Sequence, residues 1–198
     1  MRINDAVFEC SFPSIEKCPA DEVPEFAFIG RSNVGKSSLL NLLTGKDGLA
    51  KVSQTPGHTR LINFFRINRK LRLVDLPGYG YAKVARENRA KFEQTVADFL
   101  ALRQNLRRIF VLIDSRLEPQ QIDLEFLSWL HELQRPFALV FTKADKLKPS
   151  HLKAHADAFL AAISSFCPEA PDCFFSSSKT RTGKTEILRN ISDVMEAE

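Results

Sequence analysis

The string Gly30-Arg31-Ser32-Asn33-Val34-Gly35-Lys36-Ser37 constrains the fold of this chain more than any other segment. It fits the spacing GxxxxGK[ST] in full, follows an apolar run at 26–29 and opens a helical run at 36–43 that stops near Gly45. A loop that wraps a polyphosphate must turn successive backbone N–H groups inward, and glycine permits both that conformation and the close approach. The helix behind such a loop aims its unpaired N–H groups and its positive dipole end at the same anion. Lys36 is then placed to reach the β and γ oxygens of a triphosphate, and the Ser37 hydroxyl to ligate Mg2+. The first requirement on the fold is therefore a strand–loop–helix unit.

The remainder of the chain repeats that alternation. Runs at 61–67 and 71–74 read as two strands of a hairpin joined by Asn68-Arg69-Lys70, and 87–104 as a long amphipathic helix. Strands follow at 109–113, 137–141 and 173–175, with helices at 119–134, 149–165 and 184–196. A further strand at 6–12 extends one edge. Trp129, the one tryptophan, falls in the 119–134 helix as a packing residue. The pattern predicts an α/β fold: a mostly parallel central sheet with one antiparallel strand and helices on both faces. At 198 residues the chain suits a single domain over 1–198, with 1–24 as an N-terminal extension or edge strand.

Composition excludes several classes. The chain is 44% hydrophobic and 26% charged, as soluble globular proteins are. Its apolar runs are too short to span a bilayer, and the first 25 residues, broken by acidic side chains, hold no signal-peptide core. A cytoplasmic monomer with no membrane partner is expected. Cys10, Cys18, Cys167 and Cys173 form no CxxC pair and are read as buried free thiols. His151 and His155 stand four apart without an obvious third ligand, as on a solvated helix face rather than at a metal. Net charge is +4 but uneven: residues 60–108 hold 12 Lys and Arg against 4 Asp and Glu. That segment is either a face for a polyanion or an ordinary charged surface.

Two further strings complete a nucleotide site. The 71–74 strand runs into Asp75-Leu76-Pro77-Gly78, where Asp75 can orient a magnesium-bound water and Gly78 can offer its N–H to a γ-phosphate. The 137–141 strand runs into Thr142-Lys143-Ala144-Asp145. Guanine presents N1–H and its exocyclic amine side by side, and the Asp145 carboxylate can accept both. Adenine has no such pair and would leave the carboxylate partly unsatisfied, at about 1–3 kcal/mol. Lys143 can lay its stem along the purine. Backbone N–H groups of Ser176-Ser177-Ser178-Lys179 could receive guanine O6.

In this order the strings resemble the Ras-like, translation-factor class of P-loop GTPases, over nearly the whole chain. Thr142 stands where Asn is frequent and Ser178 where Ala is frequent. The longer strings Gly30 to Asn41, Thr55-Pro56-Gly57-His58-Thr59, Asn63-Phe64-Phe65 and Asp75-Leu76-Pro77-Gly78-Tyr79-Gly80-Tyr81-Ala82 are similar to the EngB (YihA/YsxC) family within the Era-like group. The resemblance implies GTP and GDP as ligands, Mg2+ as cofactor, and Lys36, Thr59 and Gly78 as catalytic groups. It implies nucleotide contacts from Gly30, Arg31, Ser32, Asn33, Val34, Gly35, Lys36, Ser37, Ser38, Gly57, His58, Thr59, Asp75, Gly78, Thr142, Lys143, Asp145, Ser176, Ser177 and Ser178. Ser37, Thr59 and (through water) Asp75 would hold the metal. Thr59 would be the switch threonine, with Thr55 as the rival. Segments 46–60 and 77–88 would be the switches. The family also implies a role in large (50S) ribosomal subunit assembly, with rRNA and ribosomal proteins as transient partners, and in cell division and septation. Tyr79 stands where Ras-like proteins carry the Gln that orients the attacking water, so slow hydrolysis is expected. A partner could supply the missing group, or Asn33 could help hold K+. A nucleotide-sensing module with negligible turnover and a P-loop ATPase or nucleotide kinase remain alternatives.

Overall fold

The computed structural model describes residues 1–51, 61–79 and 86–197, with backbone alone over 86–93. Its seven-stranded sheet comprises β1 (Ala6–Phe12), β2 (Glu25–Gly30), β3 (Ile62–Ile67), β4 (Leu71–Asp75), β5 (Leu106–Asp114), β6 (Phe137–Thr142) and β7 (Cys173–Phe175), in the spatial order β1-β3-β4-β2-β5-β6-β7. Among the described strands β3 alone runs against the rest, pairing antiparallel with both β1 and β4. The pairs β2–β4, β2–β5, β5–β6 and β6–β7 are parallel. The helices are α1 (Lys36–Thr44), α2 (Arg86–Leu102), α3 (Gln121–Glu132), α4 (Pro149–Ile163) and α5 (Lys184–Glu196).

Strand alternation sorts the core into two layers. Phe26 and Phe28 of β2, with Phe110 and Leu112 of β5, pack against Leu39, Leu40 and Leu43 of α1 and Ile187, Leu188 and Ile191 of α5. Ala27, Ile29, Ile109, Val111 and Ile113 face the other way, against Phe99 of α2, Leu127 and Leu130 of α3 and Phe159 of α4. The central strands are buried on both faces, which is why they read as unbroken apolar runs. Each fully buried Phe, Leu or Ile contributes roughly 1.5–3 kcal/mol.

The chain departs from its sequence reading at element ends. β5 begins at Leu106 rather than 109, because Leu106 and Arg108 already pair with β2. Arg107 and Arg108 interrupt the apolar pattern and conceal that start. β3 begins at Ile62, one residue after Leu61. α2 ends at Leu102 rather than 104. α3 spans Gln121–Glu132 rather than 119–134, ended by Gln134 at φ 54°. α4 stops at Ile163, where Ser164 and Phe166 tighten into bonds to the third residue back. Trp129 packs on Phe126, as a core-lining residue.

The basic middle segment is not one open face. Arg72, 1% exposed, donates Nε and Nη2 to Glu9 at 2.7 and 3.0 Å and Nη2 to Asp21 at 2.7 Å. Arg103 donates to Glu25, wholly buried, at 2.8 and 2.7 Å, and to the Pro19 carbonyl at 2.6 Å. Arg108 pairs with Asp172 at 2.8 Å. Arg72, Arg103 and Arg108 are therefore neutralised by acids from elsewhere in the chain.

Two smaller expectations are also corrected. The four cysteines are free, but Cys10 and Cys173 are partly exposed because both lie on edge strands. His151 is exposed, whereas His155 is only partly so. Its Nδ1 lies 2.9 Å from the Ser115 carbonyl, which it can only reach as a donor. No group of three or more His, Cys, Asp or Glu side chains among the described residues could hold a metal.

Candidate functional site

The parallel strands bring the motifs to one edge of the sheet. β2 ends at Gly30, β4 at Asp75, β5 at Asp114 and β6 at Thr142, with Gly30 opposite Leu112 and Asp114 opposite Thr142. β2 is the strand from which the chain departs to both sides, so this edge is the topological switch point where open α/β sheets bind ligands.

The loop between β2 and α1 uses its glycines for different reasons. A Cβ on Gly30 would meet the Leu112 carbonyl oxygen at 2.7 Å and Val34 at 3.0 Å, so close strand approach excludes a side chain. Gly35 has φ 107°, a conformation that L side chains rarely adopt. As N-cap of α1 it provides no side-chain cap, leaving the first N–H groups of the helix for a ligand. The Ser32 hydroxyl is buried and has no hydrogen-bond partner among the described residues, as suits a loop that closes on a polar guest.

Lys36 is buried and its Nζ contacts the Asp75 carboxylate directly. Burial pulls the Lys36 ammonium down to about 7, and the Asp75 carboxylate in contact with it favours the charged form of the lysine. Gly78 is buried three residues on. Ser37 and Asp75 offer hard oxygen donors suited to Mg2+, but two side chains are too few for an all-protein cage, so phosphate oxygens and water would complete the shell. Gly57, His58 and Thr59 lie outside the described residues, as do most of the two expected switch segments.

The Thr142–Asp145 segment is tied to the 30–37 loop by two hydrogen bonds. Thr142 Oγ1 lies 2.6 Å from the Val34 carbonyl and 3.2 Å from that of Ile113. Its hydroxyl therefore braces the loop and is not left over for a ligand. Lys143, at φ 58°, donates Nζ to the Asn33 carbonyl at 2.7 Å and to Asp114 at 2.8 Å, which fixes its stem. Burial works against the Asp114 charge, but hydrogen bonds from Arg116 and Lys143 outweigh it and bring the carboxyl down to about 2. Asp145 accepts from the Ser177 hydroxyl at 2.7 Å, and that bond lowers its pKa.

The amides of Ser176 and Ser177 correct the expectation placed on them. The first donates to the Phe141 carbonyl at 2.8 Å and the second to that of Thr182 at 3.2 Å. Parallel pairing of β7 with β6 consumes the former, and a bridge across the following turn consumes the latter.

Comparison with known proteins agrees with this geometry. A family model described as 50S ribosome-binding GTPase matches residues 25–143. A Bacteroides fragilis protein named probable GTP-binding protein EngB is 51% identical over 194 residues, covering 98% of this chain and 96% of that one. The chain belongs to the EngB family. A crystal structure of another probable EngB superposes with a TM-score of 0.70 at 24% identity, over 88% of this chain and 100% of its own. The structure of Era in complex with MgGDPNP and a segment of 16S ribosomal RNA gives 0.67 at 24% identity, over 85% of this chain and 55% of its own. At that identity both structures speak for a shared Ras-like fold. The EngB fold accounts for the order of motifs along the sheet edge.

Sequence reasoning missed Asp114 and Asp123 in this EngB-family chain. Asp114 had a signal: it is an acid at the end of an apolar parallel strand beside the switch point. Asp123 had a fainter one. Buried positions of α3 are Asp123, Leu127 and Leu130, so helical spacing puts an acid in an apolar stripe.

Proposed function

We propose that this EngB-family protein binds GTP and GDP with Mg2+ at the sheet edge, hydrolyses GTP slowly, and uses the change of state in assembly of the large ribosomal subunit. The observation that carries the reading is the physical joining of a phosphate loop to a guanine-type acid: Thr142 braces Val34, Lys143 holds the Asn33 carbonyl, and Asp145 is oriented by Ser177. Lys36 and Asp75 are paired with one another. A triphosphate offers Lys36 stronger partners, and Asp75 is then free to orient metal-bound water. Bound Mg2+ would neutralise charge on the β and γ oxygens. Asp145 and the amides of Ser178 and Lys179 would select guanine, and Ser38 and Arg31 would add contacts to the nucleotide.

Slow turnover is supported by Tyr79. An aromatic ring in place of the usual Gln cannot present an amide to water, and its hydroxyl is already engaged by Asp123 at 2.8 Å. A group from the ribosomal surface, or K+ held beside Asn33, would then be needed for faster hydrolysis. Thr59 is the proposed switch threonine. A ribosomal role is supported by the description of the matching family model as ribosome-binding. Cell division and septation are further roles that membership of the family suggests. No described helix is long and apolar enough to cross a membrane.

Co-sedimentation with large ribosomal subunits in GDP and in a non-hydrolysable GTP analogue tests the reading. Preferential recovery with one nucleotide is expected, together with displacement of labelled GTP by GDP but not by ATP. Equal displacement by ATP would overturn guanine selection. Nucleotide-independent recovery would overturn the switch.

A further inference from the structure

Two parts of the proposed nucleotide site meet at one buried carboxylate. Asp123 of α3 is 3% exposed. The Tyr79 hydroxyl donates to its Oδ1 at 2.8 Å, and the Arg31 guanidinium lies 3.9 Å from Oδ2. The Tyr79 ring stacks on Phe126 of the same helix, centroids 4.3 Å apart and planes 19° from parallel. Phe126 in turn packs on Trp129 at 5.8 Å.

A buried acid in an apolar stripe is costly unless its partners matter, since a leucine there would fill the space more cheaply. The partners here are chosen in an informative way. Arg31 belongs to the phosphate loop, and Tyr79 directly follows Gly78. A glycine has the widest backbone freedom of any residue, so an N–H at Gly78 points in one direction only if its neighbours are fixed. Tyr79 is that fixed neighbour: its ring is clamped on one side and its hydroxyl on the other.

We propose that Asp123 is a positioning residue which, through Tyr79, fixes the Gly78 N–H for the γ-phosphate and, through Arg31, ties the phosphate loop to α3. The inference rests on the guanine-nucleotide binding proposed above. It carries a specific consequence. The Gly78 donor serves the γ-phosphate, which GDP lacks, so loosening the clamp discriminates between the two nucleotides.

The test compares affinities for GDP and a non-hydrolysable GTP analogue in Tyr79→Phe, which keeps the stack and removes the hydroxyl, and in Asp123→Asn, which keeps an acceptor and removes the charge facing Arg31. Analogue affinity is expected to fall by about three- to tenfold in Tyr79→Phe, and by less in Asp123→Asn, with GDP affinity unchanged in both. Emission from Trp129, the one tryptophan, reports whether the α3 platform is intact in each variant. A parallel loss for both nucleotides, or no loss for either, with that emission unchanged, would overturn the inference and leave a packing contact. Wild-type protein that binds neither nucleotide overturns the nucleotide-site reading itself, a separate outcome.

Discussion

At the scale of single residues, the site is built from charges that hold one another. Lys36 and Asp75 are the clearest pair, buried and in direct contact. Removing one partner strands the other in a poorly solvated place, which costs about 3 kcal/mol where no proton can relieve it. Lys36→Met is therefore expected to bind GTP at least about a hundredfold more weakly, roughly 2.7 kcal/mol, and also to melt earlier without nucleotide. Calorimetric titration and thermal unfolding of the same preparation check both. Asp145 is a different case, because its one hydrogen-bonded protein partner in the base subsite is the Ser177 hydroxyl. Asp145→Ala should cost about 1.5–3 kcal/mol of guanine-nucleotide affinity, the worth of hydrogen bonds to a charged group, with little loss of stability. A GDP titration showing unchanged affinity would remove Asp145 from the base subsite.

At the scale of elements, the N-terminal strand is held by charge as much as by pairing. Arg72 on β4 gathers Glu9 of β1 and Asp21 of the following loop, while Arg103 beyond α2 holds Glu25 of β2. Hydrogen bonds from Arg72 are the foremost reason that Glu9 lies below its ordinary 4.5 and Asp21 falls from 3.8 to about 2. Both folded values lie under the unfolded ones. The stability they contribute is thus complete above about pH 4.5 and is lost as pH falls through the folded values toward 2. Asp21 is nearly half exposed, so solvent screening keeps its share small. Arg72→Met should flatten the acid limb of a urea-midpoint profile against pH, and a limb of wild-type steepness would refute the assignment. The unit β2–loop–α1 depends instead on contact. Gly30→Ala sets a methyl against the Leu112 carbonyl oxygen and is expected to destabilise by about 1–3 kcal/mol, read from denaturant unfolding.

At the scale of the whole molecule, a ligand that binds the folded chain alone shifts the unfolding equilibrium. GDP with Mg2+ at a hundred times its dissociation constant should add about 2.7 kcal/mol, or roughly 5–10 °C in a domain of this size. ATP should give no comparable shift in the same thermal scan. The order of elements, and with it the meeting of the motifs at one sheet edge, was legible in the amino-acid string. Apolar runs buried on both faces announce parallel strands, and the phosphate loop, Asp75-to-Gly78 and Thr142-to-Asp145 strings carry fixed spacings because phosphate and guanine geometry fix them. β1, β7 and α5 lie where periodicity puts them, whereas the start of β5 carries two arginines, of which Arg108 finds Asp172 across 64 positions. Charge pairing was illegible for the same reason. Arg72 finds Glu9 across 63 positions, and Tyr79 finds Asp123 across 44, distances at which sequence has no period to read. Local spacing decided which backbone groups face a phosphate. Tertiary packing decided which charges are spent inside the protein and which are left for a partner, because burial and proximity exist only once distant segments share a core.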